Sequence, residues 1–421
     1  MQDLSSETSR LEREASCHTT SPHRLEQLAQ ESPELAKQVA ENSSAPSELL
    51  RQLSQSKNRA TRKAVAGNPN TPMEVLFKLA AEFPEQFFEN PASMFLTLEN
   101  PDFMTKMSQK TILKLLECDN TPMFIFEQVA NHSSIELRAD AAKSSRMPVS
   151  LLEKLARDRA WQVHLTVAGN PRTPSSALEK LAGNLDEEVR AIVGGNRRTP
   201  PSTLEKLASD LDESVRTAVA ENKKAPPLLL EKLAGDLDKS VRTAVAENRK
   251  TPPSTLEKLA RDRRDEVRSA LVKNPSLSPS ILKKLASDRC DKVRRAVAQS
   301  RRTPSLLLEK LASDRDKLVR AAVAQNPQTP SSILQKLARN RYGKVRNTLA
   351  NNPQTPPSVL EELADDLDES VRISMAENSQ TPLSLLEKLA RDSHYRVRLS
   401  VARNPSTPAE VRKQINFGTN K

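Results

Sequence analysis

The chain alternates short apolar patches with polar breaks at a constant step. In residues 199–224, TPPSTLEKLASDLDESVRTAVAENKK, the residues Leu204, Leu207 and Ala208 stand at i, i+3 and i+4, and Val215, Ala218 and Val219 repeat that spacing. Each triplet is one face of a short helix. Thr199 before Pro200 predicts an N-cap with proline in the first turn. Asp210 predicts the cap of the second helix, and Asn222 a left-handed residue that ends it. One 26-residue unit is therefore expected to hold two short antiparallel helices joined by tight turns.

The pattern recurs. Val-Arg begins at Val189, Val215, Val241, Val267, Val293, Val319, Val345, Val371 and Val397, always 26 residues apart. Thr-Pro keeps the same step at Thr173, Thr199, Thr251, Thr303, Thr329, Thr355, Thr381 and Thr407. With Thr199 as position 1, position 6 is Leu from Leu152 to Leu386 and position 9 is Leu from Leu155 to Leu389. Position 10 is Ala and position 17 Val over the same units. So small a unit cannot bury its apolar face alone, so neighbours must stack on it. The fold class expected is all-α, a solenoid of 26-residue two-helix repeats. Residues 1–19 read as disordered or as a loose N-terminal cap, 20–72 as degenerate repeats, 73–120 as an irregular Phe-rich segment, 121–406 as regular repeats, and 407–421 as a C-terminal cap.

Composition narrows the function classes. Among 421 residues there are only 8 Gly, 3 Cys and 3% aromatics, which suits a reiterated core better than a compact enzyme. Cys17, Cys118 and Cys290 are too few and too scattered for a disulfide framework or a four-thiolate metal site. Among the five histidines none has metal-ligand spacing on one helix face except His18 and His23, five apart. No phosphate loop, nucleophile elbow or carboxylate cluster occurs, so neither catalysis nor a cofactor is expected. Met1 to Arg10 is polar, without the apolar core of a signal peptide, and no apolar run is long enough for a membrane span. A cytoplasmic location is expected. The formal net charge of +11 favours acidic partners.

The string V-R-x-A-V-A-x-N-P-x-T-P-x-x-x-L-x-K-L-A-x-D resembles the leucine-rich repeat variant family of bacterial proteins. That resemblance implies units pairing an α-helix with a second, often 3₁₀, helix in a right-handed superhelix, with no β-sheet. It is also similar to HEAT repeats, in which an Asp precedes an Arg by six residues. Here Asp210/Arg216, Asp236/Arg242, Asp262/Arg268, Asp288/Arg294, Asp314/Arg320, Asp366/Arg372 and Asp392/Arg398 match. One family member joins its repeats to an iron–sulfur domain. Cys17 stands alone near the N-terminus, so that cofactor is not carried over.

Three features are candidates for function. The Arg column at position 18 (Arg138, Arg190, Arg216, Arg242, Arg268, Arg294, Arg320, Arg346, Arg372 and Arg398, broken by His164) reads either as a cation ladder for phosphates or as structural partners for the Asp column of the same or the next unit. The turns before Thr-Pro carry Arg172, Arg197, Arg198, Lys223, Lys224, Arg249, Lys250, Arg301 and Arg302, expected on one edge as a partner-binding surface or as solvated turns. The opposite turn is acidic at Asp186-Glu187-Glu188, Asp212-Glu213 and Asp238, basic at Arg263-Arg264, Arg289, Arg315 and Arg341, and acidic again at Asp368-Glu369. Opposite charge on two edges could orient a partner or prevent self-association. Finally, Phe77, Phe83, Phe87, Phe88, Phe95, Phe103, Phe124 and Phe126 fill a wider core or form an aromatic docking surface.

The function expected is a non-catalytic scaffold for protein–protein interaction, with an acidic protein as partner and no small-molecule substrate. The alternative is sequence-nonspecific nucleic-acid binding by the basic edge, against which no aromatics interleave with the basic pairs.

Overall fold

The computed structural model describes residues 2–94 and 103–415. Phe95, and residues 416–421 of the expected C-terminal cap, lie outside that range. The chain divides into two compact units, Met1–Thr203 and Leu204–Lys421. Both are all-helical solenoids, and the described residues contain no strand. No helix among them is long and apolar enough to cross a membrane.

The typical repeat is a seven-residue helix followed by a nine-residue one, as in Pro227–Leu233 (7 res) and Lys239–Glu247 (9 res). The second helix is α, not 3₁₀; only after Asp265–Ala270 does a 3₁₀ turn, Leu271–Lys273, finish it. The second helices of successive repeats pack on one another, and each first helix packs on the second helix of its own repeat. Leu230, Leu233, Val241 and Val245 are buried, as are their counterparts along the chain, while the Glu-Lys pair at positions 7 and 8 faces solvent.

Three local expectations are corrected. Thr199 does not cap the following helix. Its hydroxyl donates backwards to the Val193 carbonyl (2.5 Å), and the next helix begins only at Pro201. The reason is burial: Thr199 is sealed in the core, where the orphan carbonyls of the preceding helix are its nearest acceptors. Asp210 does not cap the second helix either; Asp212 does, by accepting from the Ser214 N–H (2.8 Å). Asn222 is not left-handed but extended, at φ −64 ψ 122, and no described non-Gly residue has positive φ.

Asparagine at position 24 has a different task. The Asn248 side-chain amide donates to the carbonyls of Ala220 (2.6 Å) and Asn222 (3.2 Å) in the preceding repeat. Its Oδ1 accepts from the Lys250 N–H two residues on (2.9 Å). The same bonds are made by Asn42, Asn68, Asn170, Asn274, Asn326, Asn378 and Asn404. Within each compact unit a ladder of buried amides thus ties a turn to the one before wherever position 24 is Asn. The ladder passes through the Phe-rich segment, where Asn90 donates to Ala66 and Asn68 although only 22 residues separate it from Asn68. The second helix Pro84–Glu89, three residues shorter than its counterparts, and a turn before it one residue shorter account for the four missing residues.

The Arg and Asp columns form a second set of ties, pointing the other way. Seven of the arginines grip a carboxylate of the following repeat, 20 residues ahead. Arg268 donates through Nε and Nη2 to Asp288 (2.7 and 2.8 Å) and through Nη1 to the Asp262 carbonyl (2.7 Å). Arg138–Asp158, Arg216–Asp236, Arg242–Asp262, Arg294–Asp314, Arg346–Asp366 and Arg372–Asp392 repeat this clamp. The structural reading of the column therefore holds, with the partner in the next repeat. His164 interrupts it together with its opposite number: His164 meets Asn184 (2.9 Å).

Burial pushes the carboxyls of Asp262, Asp288, Asp314 and Asp392 up, but the arginine hydrogen bonds and a backbone N–H more than reverse this and hold them below the ordinary range. A lowered native pKa stabilises the fold fully above the unfolded value, about 3.9, and the contribution is lost as pH falls towards the native one. Melting temperatures at pH 7 and pH 5 should therefore agree, then drop between about pH 4 and pH 2. Asp288→Asn should start lower and decline less over that acid range. A parent whose melting temperature stays flat down to pH 2 would remove the clamps from the account of stability.

Candidate interaction surface

The turn between the second helix of one repeat and the first helix of the next is pinned by the asparagine at position 24, which leaves positions 25 and 26 on the outside. All nine basic residues expected there (Arg172, Arg197, Arg198, Lys223, Lys224, Arg249, Lys250, Arg301 and Arg302) are exposed. They do not all do the same thing. Arg172 donates to the Ser145 carbonyl (3.0 Å), and Arg198 to the Arg172 carbonyl (3.0 Å). Arg302 donates to the carbonyls of Asn274 (2.7 Å) and Leu277 (3.4 Å).

Arg302 compensates for a missing rung. The asparagine of its own turn is replaced by Ser300, whose side chain is too short to reach Asn274, and the guanidinium takes over that acceptor. Arg146 does similar work beside Ser144, reaching the carboxylate and the carbonyl of Asp119 (2.5 and 2.8 Å). Arg197, Lys223, Lys224, Arg249, Lys250 and Arg301 have no ion pair or side-chain hydrogen bond among the described residues. The expected edge thus separates into cations that hold turns and cations that are free. Charge and spacing alone could not separate them, because the acceptors are main-chain carbonyls.

The opposite turn, at positions 12 to 14, holds a feature that sequence reasoning passed over. Leu211, Leu237 and Leu367 at position 13 are 99%, 89% and 99% exposed, and Leu185 in the first compact unit is 98% exposed. The signal was available: position 13 lies outside both helical apolar triplets, so a leucine there has no core to enter. In the repeats between Leu237 and Leu367 the same position holds Arg263, Arg289, Arg315 and Arg341, all exposed.

The phenylalanines belong to the core. Phe83, Phe87, Phe103 and Phe126 are buried, and Phe77, Phe88 and Phe124 are half-buried. Phe77 stacks on Phe103 with ring centroids 6.2 Å apart, and Phe87 meets Phe88 edge-on at 5.5 Å. Among the described residues these rings thus serve the wider core rather than an exposed aromatic surface. His18 and His23 face Ser43 and Gln27. Cys17, Cys118 and Cys290 are free thiols.

Comparison with known proteins bears out the resemblance of the repeats. Residues 9–68 match the Leucine Rich Repeat Variant domain. A solved leucine-rich repeat variant, described as having a novel repetitive structural motif, is 28% identical, with 52% of this chain and 87% of that one covered and a TM-score of 0.41. Importin β is 12% identical, with a TM-score of 0.27; the match covers 96% of this chain and 56% of importin β, so the chain spans little more than half its length. No curated protein matches the chain.

Proposed function

We propose that the protein is a non-catalytic scaffold that binds an acidic protein partner through the turns before the Thr-Pro pairs, which line up within each compact unit. The observation that carries this reading is a repeated one. Arg197, Lys223, Lys224, Arg249, Lys250 and Arg301 occupy equivalent positions, stand in solvent, and have no partner among the described residues. Cations that no fold contact uses are available to a ligand at no cost to stability. Solenoids present such surfaces over many repeats, so that weak contacts accumulate.

The test spares Arg172, Arg198 and Arg302, which hold turns. Replacing the six free cations with Ser or Gln should leave the melting temperature within about 2 °C of the parent, since such exposed changes move stability little and Pro327-Gln328 and Pro353-Gln354 already stand there in other repeats. Partners recovered from native lysate with nuclease present should bind the variant about tenfold or more weakly, and their affinity for the parent should fall with salt. An unchanged partner set would move the binding surface elsewhere. Partners lost on nuclease treatment alone would favour nucleic acid instead.

A further inference from the structure

We propose that the other edge, from Arg263 to Arg341, is a separate docking site for an extended acidic peptide with an acidic side chain at every third residue. Four consecutive repeats place an exposed arginine at position 13: Arg263, Arg289, Arg315 and Arg341. Arg315 also donates to the Arg289 carbonyl (3.1 Å) and so ties two turns together, as Arg198 does on the other edge. Packed helices lie about 10 Å apart, so one arginine recurs roughly every 10 Å. A peptide in the extended polyproline II conformation advances about 3.1 Å per residue and returns every third side chain to the same face, so three residues of peptide match one repeat of solenoid.

The neighbouring carboxylates do not neutralise this row. Asp262, Asp288 and Asp314 stand next to Arg263, Arg289 and Arg315 in the chain, but each is buried against the arginine of the preceding repeat, Arg242, Arg268 and Arg294. Asp316 accepts from the N–H groups of its own helix, and Asp265 faces Lys292 at 3.9 Å.

The last rung carries more positive charge than the others. Arg320 should clamp a carboxylate at position 340, and finds Asn340. The contact is a single long one from Nη2 to Asn340 Oδ1 (3.5 Å), and the buried Nε has no hydrogen-bond partner. Unlike the substitution at His164, only one side of the pair has changed. The guanidinium of Arg320 lies 5.0 Å from the Tyr342 ring centre, with Arg341 at 4.7 Å and Lys317 at 5.8 Å. Three cations thus share one ring where the other rungs supply a carboxylate.

One repeat beyond each end of the row, position 13 returns to the exposed leucines Leu237 and Leu367. They fit apolar residues flanking the acidic stretch of a peptide. A nucleic-acid backbone offers nothing to them, and Tyr342 is the row's one aromatic, too few for a stacking platform.

The test uses the full chain and a fluorescent synthetic peptide with four glutamates, one at every third residue, in a Ser/Gly background flanked by leucines. A second peptide of the same composition has its glutamates adjacent. The spaced peptide should bind about tenfold more tightly than the bunched one, and Arg263→Ser with Arg289→Ser, which spares the turn-holding Arg315, should remove about tenfold or more. Lys223→Ser with Lys224→Ser should change nothing, which keeps this site distinct from the Thr-Pro edge. Asn340→Asp supplies the missing carboxylate; it should raise the melting temperature by a few degrees and weaken peptide binding severalfold. Equal binding of the two peptides, no binding of either, or a duplex DNA that displaces the peptide at the same concentration would each overturn the proposal.

Discussion

Arg268→Ala is expected to lower the melting temperature much further than Lys258→Ala. Arg268 is the more buried partner of its clamp, with 5% of its side chain exposed against 10% for Asp288. Truncation leaves the Asp288 carboxylate buried with only the Cys290 N–H to satisfy it, and frees the Asp262 carbonyl. Breaking one side of a buried pair costs about 3 kcal/mol or more, whereas an exposed lysine contributes a few tenths. Arg268→Lys should rescue little, because an ammonium cannot bridge both carboxylate oxygens and reach the carbonyl behind. In a solenoid the damage is local at first. Hydrogen exchange should therefore report weakened protection in the repeats on either side of Arg268 before it does elsewhere. Equal melting temperatures for the alanine variants at 268 and 258 would refute this account.

Asn274→Ala is the second large effect. Its amide is fully buried and donates to the carbonyls of Ala246 and Asn248, both at 2.8 Å, while accepting from the Ser276 N–H at 2.8 Å. Alanine leaves all three groups without this partner. Each buried polar group left unsatisfied costs about 1–3 kcal/mol, and water entering the gap recovers part, so a loss of about 3 kcal/mol is expected. The protein suggests its own repair. Where Ser300 replaces the asparagine, Arg302 two residues later reaches back to Asn274. Asn274→Ser should therefore be destabilised, and Asn274→Ser with Ser276→Arg should recover part of the loss. Thermal melts of the three variants decide it: a double variant no better than the single would mean that Arg302 is incidental.

The helical repeats were legible because burial leaves a mark on residue type. Leu, Val and Ala columns at i, i+3 and i+4 have few explanations other than a helix face. The Arg and Asp columns were equally plain, but their register was not. An Asp six residues before each Arg is also an Asp 20 residues after it in a 26-residue period, so the sequence cannot distinguish a pair within a repeat from one across the joint. The amide ladder was hidden for another reason. Its acceptors are main-chain carbonyls, and nothing in the identity of Ala246 or Asn248 records that they accept. Asn222 after a helix accordingly reads as a left-handed end. The same blindness merged Arg198 and Arg302 with the free cations beside them. Leu211 and Leu237 went unnoticed because they were neither charged nor periodic with the core.

The ladder has a consequence for how the chain can change. Every residue type supplies a carbonyl, so an incoming repeat asks nothing of the composition of the turn on which it settles; the arginine clamp asks only for one carboxylate. Repeats bound by such undemanding joints are interchangeable parts. One can be exchanged, duplicated or lost with the joints on either side re-forming, and a solvent position can be rewritten in a single repeat without disturbing its neighbours. Position 13 shows that freedom already exercised, carrying leucine at 211, 237 and 367 and arginine at 263, 289, 315 and 341 on one unchanged frame.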